Sequence, residues 1–107
     1  MRFIATELAG AWIVDVEAHR DERGFFARTW CRREFEAHGI DADFVQSSVS
    51  YNRTAGTLRG MHYQRQPHDE IKLVRCLAGA LYDVIVDIRP DSATRGRWIG
   101  VELSAEN

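Results

Sequence analysis

The stretch Leu81-Tyr82-Asp83-Val84-Ile85-Val86-Asp87-Ile88-Arg89, followed by Pro90-Asp91, decides the fold class. Tyr82, Val84, Val86 and Ile88 alternate with Asp83, Asp87 and Arg89, so a pleated chain sends the first set to one face and the second to the other. A half-buried strand has this period, and Pro90 ends it because proline has no N–H to give a ladder. Residues 97–103 repeat the period, with Ile99, Val101 and Leu103 together. Upstream, Ala78-Gly79-Ala80 reads as a turn, and the apolar residues around Lys72 predict a strand over 72–77.

Toward the N-terminus, Trp12, Val14 and Val16 alternate with Ile13, Asp15 and Glu17, which predicts a strand over 11–17. Asp21-Glu22-Arg23-Gly24 reads as a turn. Trp30, Glu34 and Phe35 stand at helical spacing within 29–38, and Gly39 follows, the residue that enters the left-handed region past a helix end without steric cost. One short helix is expected there, then a short strand over 44–50 and a polar turn over 51–56. Short strands about ten residues apart with turn residues between them predict an all-β sandwich or barrel.

A chain of 107 residues is expected to form a single domain with one core. Lysine and arginine number 14 and aspartate and glutamate 16, and a net charge of −2 argues against a general nucleic-acid or membrane binder. Cys31 and Cys76 stand far apart without Cys-x-x-Cys spacing, which reads as two reduced thiols in a cytosolic protein. The apolar residues among the first ten are too few for a secretory core or a membrane span, so neither export nor anchoring is expected.

Chemistry concentrates in Leu58-Arg59-Gly60-Met61-His62-Tyr63-Gln64 and Ile71-Lys72-Leu73-Val74-Arg75. Histidine changes charge nearest neutrality, so His62 is a candidate proton acceptor, whereas His19, His38 and His68 read as structural or surface residues. Lys72, inside an apolar run, either snorkels to solvent or is kept for its charge. Arg59 is either a surface arginine or a bidentate phosphate ligand, with Gly60 letting the backbone come close to a partner. A histidine, a lysine and an arginine on neighbouring segments suit proton removal beside a carbonyl in an anionic substrate. A metal-dependent oxygenase would want His-x-His and a downstream glutamate, and His62-Tyr63-Gln64 with His68 in a loop does not match.

The chain resembles the dTDP-4-dehydrorhamnose 3,5-epimerase family. The resemblance rests on Asp21-Glu22-Arg23-Gly24-Phe25-Phe26, Phe44-Val45-Gln46 with Ser50, the Arg59 to Gln64 stretch, Lys72-Leu73-Val74-Arg75, Asp83-Val84 to Asp87-Ile88-Arg89, Ser92-Ala93-Thr94 with Gly96-Arg97-Trp98, and Leu103-Ser104-Ala105-Glu106-Asn107. It implies a cupin-like jelly roll working as a cytoplasmic homodimer with a shared active site and without a metal or redox cofactor. The implied reaction inverts C3 and C5 of a 4-keto-6-deoxy sugar carried on dTDP, on the route to dTDP-L-rhamnose. His62 then corresponds to the base and Lys72 to the cation at the sugar. Arg59 corresponds to a pyrophosphate ligand, and Arg23, Phe26, Gln46 and Ser48 to other substrate contacts.

Three positions depart from the family pattern: Arg28 stands where glutamate is usual, Ser48 where asparagine is usual and Glu70 where glutamine is usual. The family also continues beyond the point matched by Asn107, and the resemblance places a tyrosine acid, an aspartate that orients the base and a further histidine in that continuation. Residues 1–107 are therefore expected to be the N-terminal portion of the epimerase domain. The alternative is a non-catalytic remnant that binds a nucleotide or pairs with another chain.

Overall fold

The computed structural model describes residues 1–41 and 43–107. Its elements in chain order are β1 (Arg2–Ala5), β2 (Trp12–Asp15), β3 (His19–Asp21), β4 (Gly24–Phe26), α1 (Arg32–Glu36), β5 (Ala80–Val86) and β6 (Trp98–Ser104). Among the described residues these strands form three antiparallel two-stranded ribbons, β1 with β2, β3 with β4, and β5 with β6. Its regular structure is thus mostly strand, with one short helix.

The first ribbon carries an aromatic cluster. Phe3 lies opposite Val14 and Ala5 opposite Trp12, so Phe3, Trp12 and Val14 share a face. Phe3 meets Phe35 edge-on at 5.1 Å between ring centres and stacks on His38 at 3.9 Å, while Phe44 closes on Phe35 at 6.3 Å. Such edge-on and offset contacts suit the ring quadrupole. Strand β1 lacks a clear alternation of its own and was not expected from the sequence; the pairing of Arg2–Ala5 with Trp12–Asp15 makes it a strand.

Helix α1 is shorter than the 29–38 expected, because Cys31 is extended at φ −154° and ψ 117° and bars a helical turn before Arg32. Its far end matches the expectation. Gly39 sits at φ 72°, its N–H donates to the Glu36 carbonyl at 2.9 Å, and the Ile40 N–H donates to the Phe35 carbonyl at 3.0 Å. These are the two bonds by which a left-handed residue closes a helix.

The longest ribbon pairs Leu81 with Leu103, Asp83 with Val101 and Ile85 with Ile99 on one face, and Tyr82 with Glu102, Val84 with Gly100 and Val86 with Trp98 on the other. Both faces are largely apolar. The expected polar side of 81–89 is not realised: Asp83 is half-buried on a face shared with Leu81 and Ile85, and Asp87, one residue past β5, is buried with 5% exposure. Its carboxylate accepts bonds from the Arg89 guanidinium at 2.7 and 3.0 Å, the Ser92 hydroxyl at 2.5 Å, the Thr94 hydroxyl at 2.7 Å and the Arg89 N–H at 3.1 Å. The Gly96 N–H donates to the Asp87 carbonyl at 2.7 Å, so the connection between β5 and β6 folds back on one residue.

Two expected strands are absent. Residues 44–50 and 72–77 carry no strand pairing among the described residues, and apolar side chains along 43–79 stand in the open, Val45 87% and Leu58 92% exposed. A strand exists only when a neighbour takes up its backbone groups, and a run of apolar residues by itself cannot provide one. Leu8, Phe35 and Cys76 are the buried apolar residues among those described. The radius of gyration is 15.2 Å, against about 13 Å for a compact chain of this length. The surface is 9097 Å², roughly 3,000 Å² more than a compact protein of this mass exposes.

The bonds from Arg89 first, then Ser92 and Thr94, hold the Asp87 carboxyl below its ordinary value of 3.8. Its stabilisation is therefore complete above that value and fades as the pH falls beneath it. In the complete protein, Asp87→Asn should lower the melting temperature at neutral pH and flatten its decline between about pH 5 and pH 2. Thermal melts across that range check this, and parallel declines for the two proteins would refute it.

Candidate functional site

The residues singled out by the sequence lie on two parts of the chain. Arg23 and Phe26 belong to the β3–β4 hairpin, whose strand residues are all exposed. Asp21 pairs with Gly24, which adopts φ 132°, and the two-residue loop between them holds Glu22 and Arg23. The Asp21 carboxylate accepts the Arg23 N–H at 2.9 Å and its guanidinium at 2.5 Å, so Arg23 is tethered to its own turn. That tether lowers the Asp21 carboxyl and raises Arg23. Phe26, 77% exposed, presents most of its ring to solvent.

A cavity of about 370 Å³ opens beside Phe26, lined also by Met1, Glu17, His19, Arg28 and Glu34. Arg28 donates to Glu34 at 2.8 Å, and the Met1 ammonium donates to Glu17 at 2.7 Å and to Glu34 at 2.9 Å. The ammonium first, and then Arg28, pull the Glu34 carboxyl down to about 2. Arg28 is thus joined to the carboxylate of α1.

Gln46, Ser48, Arg59, His62 and Lys72 all lie on the irregular segment 43–79 and are exposed. Arg59 is held most firmly. Gly56 at φ 76° reverses the chain and the Thr57 hydroxyl donates to the Thr54 carbonyl at 2.6 Å, which returns Arg59 alongside residues seven and eight places earlier. The Arg59 Nε donates to Asn52 Oδ1 at 2.6 Å and its Nη2 to the Tyr51 carbonyl at 3.3 Å. Gly60 is required for its φ of 112° and not for space, since a Cβ there would meet His62 N at 3.7 Å, an ordinary contact.

Lys72 was expected inside a strand. It lies instead on the irregular segment and pairs with Glu70, two residues back. Among the described residues no hydrogen bond joins any two of Arg23, Phe26, Gln46, Ser48, Arg59, His62 and Lys72, so they face solvent as separate groups. The sequence reading missed Asn52 and Tyr51 as the supports of Arg59. The visible signal was Gly56, whose turn brings the two stretches together.

Both cysteines are free thiols, and Cys76 is buried with its sulfur 3.3 Å from the Ala78 carbonyl. Among the described residues no cluster of three or more histidine, cysteine, aspartate or glutamate side chains is placed to hold a metal ion. No described helix is long and apolar enough to cross a membrane.

Comparison with known proteins connects these pieces. The chain is 47% identical to the dTDP-4-dehydrorhamnose 3,5-epimerase of Shigella flexneri over all of its own length and 59% of that protein. It is 45% identical to the enzyme of the same name from Methanothermobacter thermautotrophicus, again over 99% of this chain and 56% of the relative. Among solved structures, the Bacillus anthracis str. Ames dTDP-4-dehydrorhamnose 3,5-epimerase with TDP and PPi bound matches 99% of this chain with a TM-score of 0.95 at 42% identity, and 61% of that chain is covered. The Legionella pneumophila dTDP-6-deoxy-D-glucose-3,5-epimerase in complex with dTDP-4-keto-L-rhamnose matches with a TM-score of 0.90 at 43% identity, covering 99% of this chain and 56% of that one. The chain therefore spans somewhat more than half the length of the relatives it matches. The family model described as dTDP-4-dehydrorhamnose 3,5-epimerase matches residues 5–107, and the chain belongs to that family.

Proposed function

We propose that this chain is the base-bearing part of a sugar-nucleotide isomerase that inverts C3 and C5 of dTDP-4-keto-6-deoxyglucose, in the formation of dTDP-L-rhamnose. The observation that carries the reading is the TM-score of 0.95 to an epimerase that holds TDP and PPi. In this reading residues 1–107 form the N-terminal portion of one cupin-like jelly-roll domain. The β5–β6 ribbon, apolar on both faces, suits a place between covering layers.

The 4-keto group acidifies the hydrogens on C3 and C5. His62 takes each proton from one face of the ring and leaves an enolate. The Lys72 ammonium stabilises the oxygen that turns negative, an interaction stronger in the transition state than in the ground state. An acid on the opposite face returns the proton with inverted configuration. Removing and returning a proton leaves the oxidation state of the sugar unchanged, so the chemistry calls for no redox cofactor. Arg59 binds the diphosphate, Phe26 offers its exposed ring to the base, and Arg23, Gln46 and Ser48 supply further polar contacts.

The enzyme in this reading is a cytoplasmic homodimer with a shared site and no nucleic-acid or membrane partner. The exposed β3–β4 hairpin supports the shared site, because an uncovered ribbon that carries Arg23 and Phe26 gains cover from a second subunit.

His62→Ala in the complete protein should cut exchange of the substrate C3 and C5 hydrogens with deuterated water by about 10²–10⁴-fold. Exchange followed by NMR at the wild-type rate would refute the assignment, and an exchange-silent wild-type protein would favour a non-catalytic nucleotide-binding role.

Arg59→Ala should weaken dTDP binding by roughly ten- to a hundredfold, because a charge-assisted contact to phosphate is lost. Lys72→Ala should leave dTDP affinity nearly unchanged and lower kcat. Titration calorimetry with dTDP and steady-state rates separate the two, and a larger loss of dTDP affinity in the lysine variant would exchange the roles.

A further inference from the structure

Resting on the assignment of Arg59 to the diphosphate, we propose that Asn52 is a positioning residue that aims the Arg59 guanidinium at the phosphates. A guanidinium has two edges able to grip an anion bidentately, one made of Nε with Nη2 and one made of Nη1 with Nη2. The first edge is occupied. Nε donates to Asn52 Oδ1 at 2.6 Å and Nη2 to the Tyr51 carbonyl at 3.3 Å. Both acceptors come from adjacent residues, so they fix the plane of the group as well as its direction. The end-on edge, with both Nη1 hydrogens and the second Nη2 hydrogen, is left to meet the anion.

The arrangement has a thermodynamic purpose. A solvent-exposed arginine loses much rotamer freedom when it captures a ligand, and a side chain already held by two acceptors loses less. Asn52 suits the task because its amide oxygen accepts without adding negative charge. A carboxylate there would bind the guanidinium more strongly but offset the charge that attracts phosphate. The Tyr51 carbonyl cannot be removed by substitution, which makes Asn52 the testable half of the clamp.

The test is calorimetric titration of the complete protein with dTDP and, as a ligand that lacks phosphate, with thymidine. Asn52→Ala should raise the Kd for dTDP by about three- to tenfold, leave that for thymidine unchanged, and raise KM without a matching fall in kcat. In an Arg59→Ala background the same change should have no further effect on dTDP binding. Equal losses for dTDP and thymidine, or an undiminished loss in the Arg59→Ala background, would overturn the proposal by showing that Asn52 only maintains the loop. If Arg59→Ala weakens dTDP but Asn52→Ala does not, the positioning role alone fails. If Arg59→Ala leaves dTDP affinity unchanged, the diphosphate assignment fails and takes the positioning role with it.

Discussion

The Asp87 carboxylate holds together the part of this chain on which the remaining structure is hung. It accepts five hydrogen bonds from Arg89, Ser92 and Thr94, and its own carbonyl receives the Gly96 N–H. A buried charge is tolerable only when its lone pairs are met, and here the eleven residues that join β5 to β6 supply every partner. The register of the longest ribbon follows. With Asp87 N–H donating to the Arg97 carbonyl, Val86 must face Trp98 and each later pair is set in turn.

Packing does much less. An aromatic cluster joins the first ribbon to α1, and beyond it apolar side chains are abundant but uncovered. Both faces of the β5–β6 ribbon are apolar, and Val45, Val49, Tyr51 and Leu58 protrude from the segment between α1 and β5. Surface of this kind is the normal inner face of a layered β protein with its covering layer removed. Secondary structure is sparse for the same reason, since a strand needs a neighbour as much as it needs alternation.

The candidate site inherits this openness. Its charged members are steadied in pairs by groups close in sequence: Arg23 by Asp21, Lys72 by Glu70, Arg59 by Asn52 and Tyr51. Short-range tethers hold each side chain's direction; those of Arg23 and Lys72 are carboxylates that offset its charge, whereas Asn52 and Tyr51 hold Arg59 without a counter-charge. The departure at Arg28 follows the same logic, since its guanidinium is engaged by Glu34 on the helix.

The residues alone determined whatever depends on near neighbours. The period of two at 11–17, 81–89 and 97–103 marked β2, β5 and β6, Gly39 marked the helix end, Asp21 to Gly24 marked the hairpin turn, and the spaced motifs from Asp21 to Asn107 marked the family. Each signal is local sterics or local hydrogen bonding, and these act over a few residues whatever surrounds them. Tertiary structure decided the rest. Arg2–Ala5 became a strand because Trp12–Asp15 lay beside it, whereas 44–50 and 72–77, both expected as strands, stayed irregular because no described residue paired with them. Asp87, placed by its period on the polar side, was buried because Ser92 and Thr94 folded back to it. Arg59 found Asn52 only through the turn at Gly56. Burial, pairing and side-chain partnership are properties of what comes to lie alongside a residue, and a linear pattern does not contain that information.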